Sequence, residues 1–389
     1  MTQIVSFRPG VIGNQTAFEC QALIYKYLQA QHGYSFTIVK AEQDHFDDPT
    51  LDVISIPNRL CRRVKHTPLF VPAFRRKKML RTILGQADAV LSVDPTIYPQ
   101  GLLAIRTAFN FGIPVWIDSS VTLMGMGNTL QWKLAKRIVR PELAKVTGII
   151  VTAPKCIERF QDLALFNEDL APKFWVMGHP VDCDVFRPAL EAREQDEWTR
   201  VLVISRLVPE KGLLYIIEAI EPLVKTNPKL KLQILGSGPL KPLIEKEVRD
   251  RKIGPNVEFL SPVPHHMLPH LMARADIFLN HAISISKWEE FFGVVNIEAM
   301  ACGLPCIISQ NGAIPYVVRD RTAAVHVEER DVGALRNALK HLVDDPGTRV
   351  QIGLSARRYV LEHYDIKIIG EKYRRMIQAG LNNECKSYI

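Results

Sequence analysis

Two acids stand out by their spacing. Glu290 and Glu298 lie eight residues apart in EEFFGVVNIEAMACGLPCI (residues 289–307), with Gly293 between them. Glu298-Ala299-Met300-Ala301 reads as helix and Phe292-Gly293 as the loop before it. Glu290 then falls at the mouth of the helix N-terminus and Glu298 about one turn inside. The helix dipole favours an ionised carboxylate there, and such a group can accept bonds from paired hydroxyls such as those of a ribose. The backbone N–H groups of Gly293, Val294 and Val295 suit sugar hydroxyls or phosphate oxygens. The plainer alternative is that both acids simply cap a surface helix.

Two bases complement these acids. In SRLVPEKG (205–212) Arg206 and Lys211 are five apart, with Pro209 ending a strand and Gly212 opening a helix. Both cations can project from such a strand-to-helix turn, where a diphosphate would meet two fixed positive charges; two solvated surface cations are the competing reading. LGSGPL (235–240) follows the run KLQIL, and its paired glycines would let a nucleoside approach the backbone.

Other local patterns carry less. Cys302 and Cys306 are spaced C-x3-C without a second ligand pair and read as small core residues. Asp182-Cys183-Asp184 reads as a turn or helix cap and not as a metal site. His265, His266 and His270 include an i, i+4 pair, but Pro269 interrupts the helix that a metal site would need.

The elements that must position these residues fall into two halves with one rhythm. IVSF, SFTIVK, DVISI, DAVLSV, PVWID and GIIVTA read as strands separated by helical stretches, and RVLVISRL, KLQILG, VEFLSPV, IFLN, PCIIS and AAVHV repeat the plan. That alternation predicts two doubly wound parallel sheets, with a cleft between the carboxyl ends of their strands. The expected boundaries are an N-terminal domain over 1–180, a linker over 181–198 and a second domain over 199–365. A last helix (about 366–389) would cross back to the first.

Composition narrows the class. The chain has 389 residues, too many for one comfortable core, and is 47% hydrophobic and 23% charged, as in ordinary globular proteins. No apolar run is long enough to span a bilayer and no leader precedes the first strand, so the expected location is cytoplasmic or peripheral at a membrane. Seven scattered cysteines suit a reducing compartment. Residues 1–180 carry 21 Lys or Arg against 14 Asp or Glu, while 181–389 carry 28 against 27. The excess concentrates in RLCRRVKHTPLFVPAFRRKKMLR (59–81), with nine basic residues and no acid. Interleaved Leu69, Phe70, Val71, Phe74, Met79 and Leu80 make it a candidate contact with an anionic membrane surface, against the plainer reading of a solvated helix face. No nucleic-acid motif accompanies it, and nucleic acid is not an expected partner.

Taken together, SRLVPEKG, LGSGPL, VPHHMLPHLMARADIFL and the E-x7-E motif from Glu290 to Glu298 resemble, in order and spacing over about residues 200–330, the retaining GT-B glycosyltransferases of family 4. The resemblance implies a fold of two Rossmann-like domains facing across a cleft, the first on the acceptor side. It also implies transfer of a hexose-type sugar from a nucleotide-diphosphate sugar, UDP- or GDP-linked, without a metal or other cofactor. Arg206 and Lys211 would then stabilise the departing diphosphate, Glu298 bind the ribose and Glu290 a donor-sugar hydroxyl near C3. The amides of Gly293, Val294 and Val295 would orient sugar and phosphate, and Gly236 and Val263 border the base. Gly13, in RPGVIGNQTAFE, would let the first domain approach the phosphates. Asp118-Ser119-Ser120 stands where the family often has a histidine, and Asp118 either takes over a hydroxyl contact or is a plain turn residue. The basic 59–81 segment favours a lipid or lipid-linked acceptor. The alternatives are a cytosolic enzyme acting on a sugar, sugar phosphate or small metabolite, and a subunit that binds nucleotide sugar without transferring it.

Overall fold

The computed structural model describes residues 1–8, 15–42, 44, 46–56, 81–98, 100–120, 130–188, 196–286 and 288–384. Gly13 and the 59–80 stretch lie outside the described residues. The chain divides into two compact units, Met1–Pro180 with Ile366–Ile389, and Val181–Asp365.

Unit 1 holds seven strands: β1 (Gln3–Phe7), β2 (Ser35–Ala41), β3 (Asp52–Ile56), β4 (Ala89–Val93), β5 (Val115–Asp118), β6 (Gly148–Val151) and β7 (Phe174–Val176). They form one sheet in the order β3-β2-β1-β4-β5-β6-β7, every pairing parallel. β4 is buried at all five positions, as expected for a parallel strand covered by helices on both faces. The three-residue β7 was not among the strands read from sequence, because FWV is too short to show alternation. The helix Ile366–Leu381 packs against the helix Gln15–His32. Side chains at Gly370 and Gly380 would collide with the rings of Tyr27 and Trp116.

Unit 2 repeats the plan with β8 (Thr199–Ile204), β9 (Leu230–Leu235), β10 (Val257–Leu260), β11 (Ile277–Asn280), β12 (Cys306–Ser309) and β13 (Val325–Val327). Their order is β10-β9-β8-β11-β12-β13, again all parallel. Branched residues of the strands and of the helices Leu213–Thr226 and Val332–Asp344 build the core, among them Val201, Ile216, Ile220, Ile234, Leu279 and Leu339. In each unit the first strand is central and the strand order reverses beside it, between β1 and β4 and between β8 and β11. Open α/β sheets bind ligands at that reversal, outside the carboxyl ends of the strands.

Candidate active site

The loops that leave β8 and β11 flank the reversal in unit 2, and they carry the acids and bases singled out above. Beyond β8, Pro209–Lys211 forms a short 3-10 turn and Gly212 takes the left-handed conformation (φ 62°) at the start of the helix Leu213–Thr226. That turn delivers Lys211 to Glu290: Nζ donates to Oε2 at 2.5 Å, and both side chains are largely buried. Trp288 supplies a second neighbour, its ring centroid 4.7 Å from Nζ. Arg206 does otherwise. Its side chain is 58% exposed and its Nη2 donates to Glu210 at 3.2 Å, so the two cations of the turn take separate acids.

Glu290 is held from behind. Its backbone N–H donates to Asn311 Oδ1 at 2.7 Å and its carbonyl accepts from the Ala313 N–H at 2.8 Å. Asn311 Nδ2 donates in turn to Ser284 Oγ at 2.8 Å and Glu329 Oε2 at 2.9 Å. A loop residue so clamped keeps its carboxylate in place without help from a ligand.

The helix Val294–Ala301 begins at Gly293, which is left-handed with φ 74°. A Cβ there would stand 2.5 Å from Asn296 Nδ2, so the position needs glycine for both conformation and space. Asn296 Oδ1 accepts from Asn280 Nδ2 at 2.7 Å, tying the helix to the end of β11. Glu298 is 5% exposed, and its Oε1 lies 2.7 Å from His265 Nε2. His265 opens the turn His265–Met267, two residues after the half-buried Val263.

The glycines of LGSG are required by the chain's own packing. A Cβ on Gly236 would stand 1.8 Å from the Ser205 carbonyl oxygen, and one on Gly238 2.4 Å from that of Leu207. The close approach they permit is between two stretches of this chain's own backbone, sealed where Leu207 N–H donates to the Ser237 carbonyl at 2.8 Å. Gly236 thereby shapes the loop beyond β8.

In unit 1, Asp118 is already engaged. Its Oδ2 accepts from Arg8 Nη1 at 2.9 Å and from Gln21 Nε2, while Oδ1 accepts from Ser120 Oγ at 2.6 Å. Burial lowers the pKa of nearby His179 to about 4. The Asp-Cys-Asp run makes a turn, with Asp182 Oδ1 accepting from the N–H groups of Asp184 and Val185 at 3.0 and 3.2 Å. Cys302 and Cys306 are buried thiols, the former pushed up to about 12 by desolvation. Among the described residues no group of three or more His, Cys, Asp or Glu is arranged to hold a metal ion.

Sequence reading singled out Lys211, Glu290 and Glu298 and missed their partners Trp288, Asn311, Ser284 and Glu329. It weighed His265 as part of a metal site, set that aside, and did not link it to Glu298. An Asn-Gly pair at 311–312 signals a turn but not what the turn touches.

Two parallel-sheet units of this kind, with a polar site beyond the central strands of the second, define the GT-B class. Solved structures bear this out over nearly the whole chain. A glycosyltransferase from Rickettsia africae superposes with a TM-score of 0.79, covering 98% of this chain and 99% of its own, at 16% identity. Anabaena HepE in complex with UDP does so with a TM-score of 0.75, covering 97% and 100%, at 15% identity. Residues 190–359 match the family Glycosyl transferases group 1. Among curated relatives, a GDP-mannose-dependent monoacylated alpha-(1-6)-phosphatidylinositol monomannoside mannosyltransferase of Corynebacterium glutamicum is 33% identical, over 45% of this chain and 46% of its own. The GDP-mannose-dependent alpha-(1-6)-phosphatidylinositol monomannoside mannosyltransferase of Mycolicibacterium smegmatis is 29% identical, over 51% and 54%. The chain spans about half the length of the curated relatives it matches.

Proposed function

We propose that the protein is a retaining, metal-independent glycosyltransferase that moves a hexose-type sugar from a UDP- or GDP-sugar to a lipid or lipid-linked acceptor. The observation that carries this reading is the meeting of Lys211 and Glu290, 79 residues apart in sequence, where the strand order of unit 2 reverses. A cation fixed there, with Arg206 on the same turn and the first N–H groups of the helix Val294–Ala301 nearby in sequence, suits a diphosphate leaving group. Glu298 on that helix takes the ribose, and Glu290 a hydroxyl of the donor sugar. Val263 and Gly236 border the base.

In the reaction the acceptor oxygen bonds to the anomeric carbon as the bond from that carbon to the phosphate oxygen breaks. The acceptor's proton passes to the departing phosphate, and the products are the glycosylated acceptor and a nucleoside diphosphate. In this reading Glu290 orients the sugar and is not the covalent nucleophile that paired carboxylates supply in retaining glycosidases. The charge of Lys211 takes the place a metal would fill.

The lipid acceptor draws support from the phosphatidylinositol-based acceptors named for the two curated relatives, and from the surface of unit 1. Phe109, Phe111 and Ile138 are 52%, 50% and 43% exposed. Lys133, Arg137 and Arg140 are exposed on the helix Leu130–Leu143 beside them. Lys145 lies over the Phe109 ring at 5.3 Å. Exposed aromatics among cations suit an anionic interface. No described helix is long and apolar enough to cross a membrane.

Incubation with GDP-mannose, then a panel of UDP- and GDP-sugars, tests the donor: slow release of free sugar without acceptor is expected, and none from any donor overturns transfer. Activity should survive EDTA, and its loss with rescue by Mg²⁺ contradicts metal independence. Liposomes of anionic lipid should float the protein at low salt, and absence of binding redirects the search to soluble acceptors.

A further inference from the structure

The imidazole of His265 is half in solvent, with a side chain 42% exposed, yet its Nε2 sits 2.7 Å from an oxygen of Glu298, whose side chain is only 7% exposed. The two residues are 33 apart in sequence and come from different loops of unit 2: His265 follows β10, and Glu298 rides the helix Val294–Ala301 that follows β11. The ring also lies near that of Phe186, at a centroid separation of 5.4 Å. A carboxylate has two oxygens and about four lone-pair directions, and one good bond to one oxygen fixes the side-chain rotamer without using the other.

We infer that His265 is a positioning residue for nucleotide binding. Its Nε2–H donates to Glu298 Oε1 and locks the carboxylate, so that Oε2 is presented to the paired hydroxyls of a ribose. The ligand class is therefore a ribonucleoside diphosphate with both the 2′ and 3′ hydroxyls free. This rests on Glu298 being the ribose acid, and the experiment separates the two claims.

Dissociation constants are measured by calorimetry for GDP and 2′,3′-dideoxy-GDP, and for the matching UDP pair, on the wild-type chain, His265→Ala, His265→Gln and Glu298→Ala. The wild type should favour the ribose form at least tenfold. His265→Ala should reduce that preference about five- to tenfold while leaving affinity for the dideoxy form unchanged, since the loss is of one oriented hydrogen bond. His265→Gln, whose amide can donate from nearly the same place, should restore most of it. A preference in His265→Ala equal to wild type, with Glu298→Ala abolishing it, overturns the role of His265 and leaves Glu298 standing. A preference retained in Glu298→Ala overturns the ribose reading itself and this inference with it. His265 is half in solvent, so a melting midpoint close to wild type is expected, and a merely structural role would not move the ribose-to-dideoxy ratio.

Discussion

In unit 1 the polar side chains beyond β1, β4 and β5 bond one another deep in the unit, while in unit 2 those beyond β8, β10 and β11 include two that stay exposed. Arg8 and Asp118 form an ion pair with side chains 4% and 6% exposed, joined by Tyr25 and Ser6. Arg159 binds Asp94, Thr96 and Ser119 with essentially no exposure, and Ser119 Oγ donates to Asp94 at 2.6 Å. In unit 2 the side chains of Arg206 and His265 stay 58% and 42% exposed, and Asn311 holds Glu290 by its backbone, which leaves the carboxylate to Lys211. The same topology supports both outcomes. Buried charges that bond one another are committed to holding the fold, whereas groups fixed through their backbone or through one oxygen keep a further bonding direction.

The comparison breaks if substitutions in the two clusters behave alike. Arg159→Ala should be the most damaging, since it leaves Asp94 charged and unpaired in the interior, and a loss of about 3–5 kcal/mol is expected in urea unfolding. A loss under about 1 kcal/mol would rank the pair with surface ion pairs instead.

Lys211→Ala and Glu298→Ala should show the opposite signature. Each is expected to lower sugar transfer at least tenfold, about 1.4 kcal/mol of transition-state stabilisation, with the circular dichroism spectrum intact. Near-normal turnover in either would sink its assignment.

Acid sharpens the comparison more gently. Desolvation holds the imidazoles of His281 and His326 in unit 2, and His179 in unit 1, down at about 4. The ordinary histidine value is about 6.5, so between these limits the unfolded chain binds protons that the folded chain does not. Stability through these groups is therefore full above pH 6.5 and is lost as pH falls toward 4. With two such imidazoles against one, unit 2 should lose more, and His326→Val should flatten the slope of urea midpoint against pH between 7 and 4.5. A slope unchanged in that variant would show that His326 titrates normally in the folded chain.

Much of this was legible in the chain itself. Branched runs alternating with amphipathic stretches specify doubly wound sheets because strand and helix periods are local properties of the sequence. Glu290, Gly293 and Glu298 could be placed on a loop, a turn and a helix for the same reason. The partnerships could not. Asn311 reaches Glu290 across 21 residues and His265 reaches Glu298 across 33, and no periodicity links them.

Gly236 shows the same limit from the other side: its glycine was evident as a need for space, but only the fold revealed that a carbonyl of Ser205 fills it. Asp118 reads from the sequence equally as a turn residue or a ligand contact, and only the fold brings Arg8 and Gln21 onto it. Sequence by itself determined most of the elements, the fold class and the residue types that bear chemistry, since each follows from neighbours along the chain. Tertiary structure alone decided which charges are neutralised and which stay available, because that depends on side chains brought together by loops at the ends of different strands.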